Sequence, residues 1–418
     1  MFEKLMKNDY ALNIFNKIYT VLIGLFSTAF MTRYLGLSLK GDYAYIIQVS
    51  GIIVLILNLG IPETYSYFYK RNHGRVYQKY LNLYVQQTIV YTLGALLVGI
   101  VFRNNQNIVY VCVLIPFSLM YQQMENAMVV ENIRLRIKMR IVNATAKFVL
   151  YGLIYGLRSL IGCSLFYPIL LTALIDLGTI LIYTLNNRIK PHPFQIDRQF
   201  IIRVLKYSWL PMLTALLITL NYSVDILFLK AMGDPAELSL YSTAAGIINY
   251  VWFIPDAFKE VLVSRVARSD DLRPVHFALK ISLAAVAAIT AGFAVFGKFA
   301  LRLLYGGEFV PSYGIVLILI LGCFSMVFYK IIGILMLAEG RRVFYFVSLL
   351  ISVIVNITVN YFVIPPYGMY GAAWASVGSY TVCGVLFLVY YLRVKKQRIR
   401  DVLLPDKQDI RKLLGRRV

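Results

Sequence analysis

The stretch LTALLITLNYSVDILFLKAMG, residues 213–233, is an apolar run of helix length that carries one carboxylate, Asp225. A helix needs about 20 predominantly apolar residues to cross the hydrocarbon core of a bilayer. An ionisable group inside such a run is costly and is therefore a candidate for function. The stretch predicts a transmembrane helix and raises the question of what Asp225 contacts.

The composition of the whole chain agrees with a membrane protein. Of its 418 residues, 59% are hydrophobic and 15% are charged, and the mean hydropathy is +0.69. Soluble domains carry about 25% charged residues. These values exclude an ordinary soluble enzyme or a soluble binding domain.

Apolar runs recur along the chain and predict an all-α polytopic membrane protein with about twelve transmembrane helices. No small-residue cleavage site follows the first run, so we expect this run to remain as a helix. The connections are short and none is long enough for a soluble catalytic domain. The predicted spans are 11–33, 41–62, 80–102, 107–131, 140–158, 160–186, 203–231, 238–262, 277–304, 311–337, 342–364 and 370–392.

The longest connection, NNRIKPHPFQIDRQ from Asn186, divides these spans into two halves. Short matches between the halves suggest a duplication, since YGLRSLIGCSL from Tyr155 corresponds to YGMYGAAWASV from Tyr367. Transporters commonly bind their substrate between such repeats. The predicted segments are an N-terminal six-helix bundle (1–186), a cytoplasmic linker (187–202), a C-terminal six-helix bundle (203–392) and a basic cytoplasmic tail (393–418).

Lysine and arginine are concentrated in alternate connections, which sets the orientation by the positive-inside rule. An inner connection holds Arg134, Arg136, Lys138 and Arg140, whereas outer turns hold only scattered cations such as Arg33. We therefore expect both termini in the cytoplasm. This asymmetry explains most of the net charge of +22 without nucleic-acid binding. The basic tail is expected to anchor the topology or to lie on anionic lipid headgroups.

Patterns for covalent chemistry are missing from the sequence. It holds no defensible Ser/His/Asp arrangement, no Gly-rich phosphate loop after a strand and no metal-ligand spacing among its three histidines. The four cysteines lie in predicted spans and imply no disulfide framework. We therefore expect neither enzymatic activity nor a metal or other cofactor.

The chain resembles the polysaccharide-export branch of the multidrug/oligosaccharidyl-lipid/polysaccharide (MOP) flippase superfamily over nearly its whole length. The most specific part is the spacing of Asp225, Gly233 and Tyr241, with seven residues between neighbours, and next is the Gly-Ala-Ala motif at Gly371. The stretches that carry the resemblance are YLGLSLKGDYAYIIQVSGII, NLGIPETYSYFYKR, NYSVDILFLKAMGDPAELSLYSTAAGI and IPPYGMYGAAWASVGSY.

The resemblance implies a fold, an activity and a location. The implied fold is two pseudo-symmetric six-helix bundles that form a V around a central cavity. The implied activity is translocation of undecaprenyl-pyrophosphate-linked oligosaccharide units from the inner to the outer leaflet of the bacterial cytoplasmic membrane by alternating access. The implied product is O-antigen, capsule or a similar polymer. Possible further partners are other polysaccharide assembly proteins, and related transporters suggest coupling to a proton gradient, a sodium gradient or the membrane potential.

Three lysines inside predicted spans are candidate ligands for an anionic headgroup: Lys17, Lys147 and Lys330. Lys17 lies about 9 Å inside the first span and shares a polar helix face with Asn13 and Thr20. Each lysine either faces the cavity and binds pyrophosphate, or extends its ammonium to the cytoplasmic interface.

Acidic and amide residues inside the spans form a second candidate set. Glu125 shares a helix face with Gln122 and Asn126, which would contact sugar hydroxyls or hydrogen bond between helices. Asp225, Glu125 and Asp176 are candidates for coupling or gating. For Asp225, one alternative is a pair with a cation near the outer mouth, and the other is uptake of the coupling ion. Pro62 and Pro255 are expected to bend their helices.

Two other classes of protein compete with the flippase. A multidrug/cation antiporter of the same superfamily is expected to carry an acidic group in the first span. This chain has Lys17 there and no acid after Asp9. A polysaccharide polymerase or ligase would want a sizeable outer loop with catalytic groups, and the outer connections here are only turns. The cationic first span favours an anionic substrate.

Overall fold

The computed structural model describes residues 9–71, 76–187, 192, 195, 197–266 and 271–403; the side chains of 9–14, 187, 260, 261 and 263–266 lie outside the description. Over the described ranges the chain is helical, with short turns and no strand. Its internal contacts group into two compact units, Met1–Leu216 and Leu217–Val418. The boundary falls inside a helix that follows the predicted linker.

The first unit is built from long helices joined by turns. The 3-10 turn Pro62–Thr64 separates the first two helices. The helices are α1 (Asp9–Leu57), α2 (Tyr65–Arg71), α3 (Tyr77–Val101), α4 (Gln106–Glu131), α5 (Ile133–Gly156), α6 (Arg158–Ile161), α7 (Phe166–Asn187) and the first part of α8 (Arg198–Met232).

The second unit continues from the remainder of α8. A 3-10 turn, Gly307–Phe309, precedes its most hydrophobic helix. The helices are α9 (Pro235–Val251), α10 (Phe253–Val266), α11 (Arg273–Leu304), α12 (Ser312–Ala338), α13 (Arg342–Lys395) and α14 (Ile399–Leu403).

The prediction of an all-α fold with about twelve spans is confirmed. Among the described residues, 8 helices are long and apolar enough to cross a membrane. Two of them, α1 and α13, are each broken by one non-helical glycine, Gly36 and Gly368, and so supply two spans apiece. The cation-rich α5 and the consecutive pair α9 and α10 correspond to the remaining predicted spans, 140–158 and 238–262.

The break at Gly368 is fixed by a side chain from another helix. Gly368 has φ 51° and ψ −131°, a conformation that glycine adopts without steric cost. The backbone N–H of Met369 donates to Glu237 Oε2 at 3.1 Å. A Cβ added to Gly368 would meet that carboxylate at 2.2 Å, so the position accepts no side chain.

One helix lies at the centre of each unit. In the first unit α4 packs against α1, α3 and α7, and in the second α12 packs against α9, α10, α11 and α13. The apolar window of α12 is 61% buried, whereas that of α3 is only 11% buried. Because the outward surface of α3 is apolar, it is suited to contact with lipid.

The closest approach between α12 and α13 depends on glycine. A Cβ at Gly384 would lie 2.0 Å from the carbonyl oxygen of Ser325, and one at Gly322 would lie 2.8 Å from the ring of Tyr380. Small residues commonly allow such contact between membrane helices, where packing rather than the hydrophobic effect holds helices together.

The two prolines expected to bend helices lie at interruptions. Pro62 begins the 3-10 turn after α1. Pro255 lies in the first turn of α10, three residues after Trp252, where α9 gives way to α10 with the backbone still close to helical. Because proline has no N–H, it cannot donate to the carbonyl of Val251, which weakens the helix at this junction.

Candidate functional site

Asp225 is 2% exposed and is held by hydroxyl and amide groups from three helices. Tyr241 of α9 donates its hydroxyl to Asp225 Oδ2, and Ser376 of α13 donates to the same oxygen at 3.0 Å. The backbone N–H of Ile226 lies 3.0 Å from Oδ1. Among the described residues no lysine or arginine forms an ion pair with this carboxylate. The ion pair with a cation near the outer mouth, expected as one alternative, is therefore not formed among them in this conformation.

A buried amide and hydroxyl network continues from Asp225 along α8 and α13. Ser352 Oγ donates to Asn221 Oδ1 at 3.0 Å, and Asn356 Nδ2 donates to the Asn221 carbonyl at 3.2 Å. Asn356 also reaches Ser379 Oγ at 3.0 Å. Ser352 and Asn356, on the first half of α13, therefore join helices by interhelical hydrogen bonds.

Lys330 of α12 forms a bidentate ion pair with Asp256 of α10. Its Nζ lies 2.8 Å from both carboxylate oxygens. The same ammonium lies 4.9 Å from the ring centroid of Trp252 and 6.0 Å from that of Tyr222. Lys330 is therefore enclosed within the second unit by one carboxylate and two aromatic rings.

Glu125 of α4 is buried between two arginines of α5. Its Oε1 lies 2.5 Å from Arg140 Nε and 3.0 Å from Arg136 Nε. Tyr183 of α7 donates to Oε2 at 2.8 Å. These contacts give Glu125 a structural role in joining α4, α5 and α7, and its predicted role in coupling or gating stays a prediction.

Asp176 and Lys147 lie in the same helix interface, farther from the linker. Ser118 donates to Asp176 Oδ2 at 2.9 Å, and Lys147 acts electrostatically on the Asp176 carboxylate. Between this pair and the Glu125 cluster, Asn143 Nδ2 donates to Thr179 Oγ1 at 2.9 Å. Asp176 and Lys147, both candidates from the sequence, therefore lie in line with Asn143 and the Glu125 cluster. We call this set of side chains across α4, α5 and α7 the polar row.

The predicted polar face of α1 is described only in part. Lys17 is partly buried, and Thr20 Oγ1 bonds back to the Asn16 carbonyl at 2.8 Å within its own helix. Tyr19 of α1 and Thr145 of α5 join their hydroxyls at 2.8 Å. The side chain of Asn13 lies outside the described part of the chain, and its predicted role stays a prediction.

The amides that flank Glu125 occupy different surroundings. Asn58 Nδ2 donates to Gln122 Oε1 at 3.3 Å, which is an interhelical hydrogen bond of the kind expected as one alternative. Asn126 is partly exposed. A role for either amide in contacting sugar hydroxyls stays a prediction.

A cleft of about 730 Å³ lies at the linker end of the first unit. Lys79 forms an ion pair with Asp197 at 2.7 Å, and Asp197 Oδ1 accepts from the Phe200 N–H at 3.0 Å at the start of α8. These two donors lower the pKa of the Asp197 carboxyl, and Lys79 has the larger effect. The residues that line the cleft include Gln78, Asn82, Gln86, Gln195, Arg198 and Gln199.

Several contacts were missed by reasoning from the sequence. Arg136 and Arg140 were assigned only to topology, although their spacing of four places them on one helix face. Tyr241 was noticed as part of a spacing but not as the hydrogen-bond donor to Asp225. The pairing of Glu237 with Met369 has no signal in the sequence, since the two residues are 132 apart in the chain.

Comparison with known proteins relates this architecture to transporters and flippases. A structure of the lipid II flippase MurJ in an inward closed conformation superposes with a TM-score of 0.75 at 14% identity, covering 96% of this chain and 90% of that chain. An inward-facing multidrug resistance MATE family transporter of the MOP superfamily gives a TM-score of 0.67 at 16% identity, covering 90% and 95%.

A third solved structure is a MOP superfamily transporter from Pyrococcus furiosus, whose description reports a binding pocket of reverse polarity. It gives a TM-score of 0.60 at 16% identity, covering 94% of this chain and 98% of that chain. No family model matches the sequence, and no curated protein matches it significantly. The chain therefore has the polytopic helical fold of the MOP superfamily transporters.

Proposed function

We propose that this protein is a flippase that moves undecaprenyl-pyrophosphate-linked oligosaccharide units from the inner to the outer leaflet of the bacterial cytoplasmic membrane, for assembly of a surface polysaccharide. The observation that carries the proposal is the sign of the charge along the first unit. Helix α5 carries Arg134, Arg136, Lys138, Arg140 and Lys147 and no acidic residue. Since α1 adds Lys17, the first unit is suited to an anionic substrate.

The balance of partners in the polar row supports the same choice. Within it, Arg136, Arg140 and Lys147 face two carboxylates, Glu125 and Asp176. The row therefore retains an excess of positive charge after its internal pairs are formed. A pyrophosphate group carries negative charge and several acceptor oxygens, and it would gain charge-assisted hydrogen bonds from such cations. A cationic drug would meet repulsion from them.

The fold supports transport without covalent chemistry. The solved structures that it resembles are described as flippases and transporters. In the proposed cycle the lipid-linked unit enters from the cytoplasmic side and leaves on the outer side, with both termini of the protein in the cytoplasm. Asp225 is the proposed group for coupling to a proton or sodium gradient, because its carboxylate is buried and its neighbours among the described residues are neutral.

Transport by purified protein in lipid vesicles tests the proposal. A fluorescent undecaprenyl-pyrophosphate-linked oligosaccharide is incorporated, and its movement is followed by a membrane-impermeant quencher. We expect protein-dependent translocation, loss of most of it in Lys17→Ala, and partial retention in Lys17→Arg, which keeps the charge. The exposed Lys298 provides a matched control, since Lys298→Ala also removes one lysine and should leave transport unchanged.

A multidrug/cation antiporter is the second candidate function. The fold similarity to the MATE family transporter and the buried carboxylate of Asp225 are the observations that favour it. It predicts that the same vesicles take up a cationic dye when a proton or sodium gradient is imposed. Dye uptake without movement of the lipid-linked oligosaccharide would overturn the flippase proposal and support this one.

A further inference from the structure

The ion pair between Lys330 and Asp256 lies beside the interruption in the predicted eighth span. Helix α9 ends at Val251 and α10 begins at Phe253, so that Trp252 is the one residue between them. The ammonium of Lys330 lies 4.9 Å from the ring centroid of Trp252, the residue at the interruption, and 2.8 Å from the Asp256 carboxylate on α10. Lys330 is a residue of α12, the central helix of the unit, and therefore connects that helix to the junction between α9 and α10.

The two partners are unequally exposed. The side chain of Lys330 is 10% exposed, whereas that of Asp256 is 44% exposed. The pair is therefore open to its surroundings from the side of the carboxylate. Breaking a buried pair by removing one partner is costly because it leaves a charge uncompensated, but exchange of one anion for another leaves Lys330 paired.

A second cation lies close to the pair. Lys259 follows Asp256 by three residues on the same face of α10, and it acts electrostatically on Lys330. An anion that replaces the Asp256 carboxylate would therefore meet two ammonium groups. A pyrophosphate group has more charge and more acceptor oxygens than a carboxylate and is better suited to two cations.

We propose that the Lys330–Asp256 pair is a latch on the junction between α9 and α10, and that a pyrophosphate group opens it by taking the place of the Asp256 carboxylate on Lys330. Release of Asp256 removes the ion pair between α12 and α10, although their packing remains, and the proline-weakened junction then bends more easily. This inference rests on the proposed function, because it assumes that the transported group carries pyrophosphate. It adds a reason why an empty transporter and a loaded one would differ in shape.

Trp252 provides a direct readout of the latch. The chain has 3 tryptophans, and Trp209→Phe with Trp374→Phe leaves Trp252 as the sole indole. In this background, inorganic pyrophosphate added to the protein in lipid vesicles should change the Trp252 emission with saturation. Lys330→Met should abolish the change or weaken the apparent affinity by about tenfold or more. Lys395→Met, which breaks the ion pair with Glu339 in the same unit, should respond as the parent does.

Asp256→Asn tests the competition itself. With the carboxylate charge removed, the emission should already be shifted without pyrophosphate, and pyrophosphate should bind more tightly than to the parent. Because Asp256→Asn keeps the lysine, it still tests the proposal if Lys330→Met fails to fold. No emission change in the parent, an equal change in Lys330→Met, or weaker binding in Asp256→Asn would each overturn the latch.

The source of the pyrophosphate is separated by a second set of vesicles that contain undecaprenyl pyrophosphate instead of the free anion. A response to both supports a latch that recognises the group on a lipid, and a response to the free anion alone would overturn the link to transport. Failure of the latch also differs from failure of the proposed function. Translocation without a change in Trp252 emission would contradict only the latch proposal. A change in Trp252 emission without translocation would contradict only the flippase proposal.

Discussion

The hydroxyl of Tyr241 donates a hydrogen bond to the buried carboxylate of Asp225, which lies 16 residues earlier in the chain. The two residues stand on consecutive helices, α8 and α9, on either side of the turn at Gly233. Ser376 of α13 completes the contact and lies 3.2 Å from the Tyr241 hydroxyl. The spacing of Asp225, Gly233 and Tyr241, noticed in the sequence, is therefore the spacing that brings a carboxylate and a phenol together across a turn.

Tyr241→Phe should destabilise the second unit. The substitution removes one donor from a buried carboxylate and costs about 1–3 kcal/mol. The measurement is the midpoint of thermal unfolding in detergent. Tyr361→Phe is the control, because Tyr361 is an exposed tyrosine of α13 and its hydroxyl removal should leave the midpoint unchanged. Equal midpoints for both variants would contradict a structural role for the Tyr241 hydroxyl.

Asp225→Asn should separate folding from transport. The amide oxygen of asparagine accepts from Tyr241 and Ser376 much as the carboxylate does, so the unfolding midpoint should change little. The charge is lost, and ion-dependent transport in vesicles should fall to background. Asp225→Ala should lose both properties, since it leaves the Tyr241 hydroxyl without its acceptor. Full transport by Asp225→Asn would show that the charge of Asp225 has no part in coupling.

Glu125→Gln should destabilise the first unit strongly. Loss of the carboxylate charge leaves Arg136 and Arg140 uncompensated beside each other, at a cost of about 3–5 kcal/mol in the free energy of unfolding. Asp271→Asn is the matched control, because it breaks a pair between Arg273 and Asp271 that is largely exposed and should cost less than about 1 kcal/mol. A comparable loss in the two variants would mean that burial of the Glu125 pairs contributes nothing.

The Lys79–Asp197 contact should open only in acid. Lys79 and the Phe200 N–H keep the pKa of Asp197 below its ordinary value in the folded protein. A carboxyl with a depressed folded pKa contributes stability above its unfolded pKa and loses it as the pH falls through the folded value. Hydrogen exchange of the Phe200 amide, corrected for its intrinsic rate, should therefore lose protection only below the ordinary carboxyl range.

Asp197→Asn keeps a hydrogen-bond acceptor at the start of α8 and removes the negative charge. Asparagine also accepts from backbone N–H groups at a helix start, so protection of Phe200 should remain at neutral pH. The acid-dependent loss of protection should disappear, because no carboxyl is left to titrate at that position. An unchanged pH profile would assign the effect to another group.

The proposed orientation is tested by reporter fusions along the chain. Fusions after Arg140, Arg203 and Arg342 should report the cytoplasm, and fusions near Asn105 and Gly307 should report the outside. The reason is the concentration of lysine and arginine in alternate connections. A cytoplasmic signal at Asn105 would contradict the predicted alternation of the spans.

Helix positions could be predicted from the sequence, whereas the orientation of each helix about its axis could not. Length and hydropathy place the spans because a bilayer demands about 20 apolar residues from each. They do not tell which side of α4 carries Glu125 toward Arg140, since lipid and protein interior are almost equally apolar. For the same reason Lys330 could be identified as a candidate, but its contacts with Asp256 and Trp252 depend on how three helices pack together.

The glycine contact between Gly384 and Ser325 also sets an order for biosynthesis. Helix α12 leaves the ribosome before the part of α13 that contains Gly384, and its groove at Ser325 is filled only when that later segment arrives. Until then α12, the most hydrophobic of the candidate spans among the described residues, lacks its native neighbour on that side. A nascent chain halted before Gly384 should therefore remain open to premature contacts with insertion machinery, lipid or other nascent helices, and the second unit becomes protease-resistant only after the segment that contains Gly384 has been made.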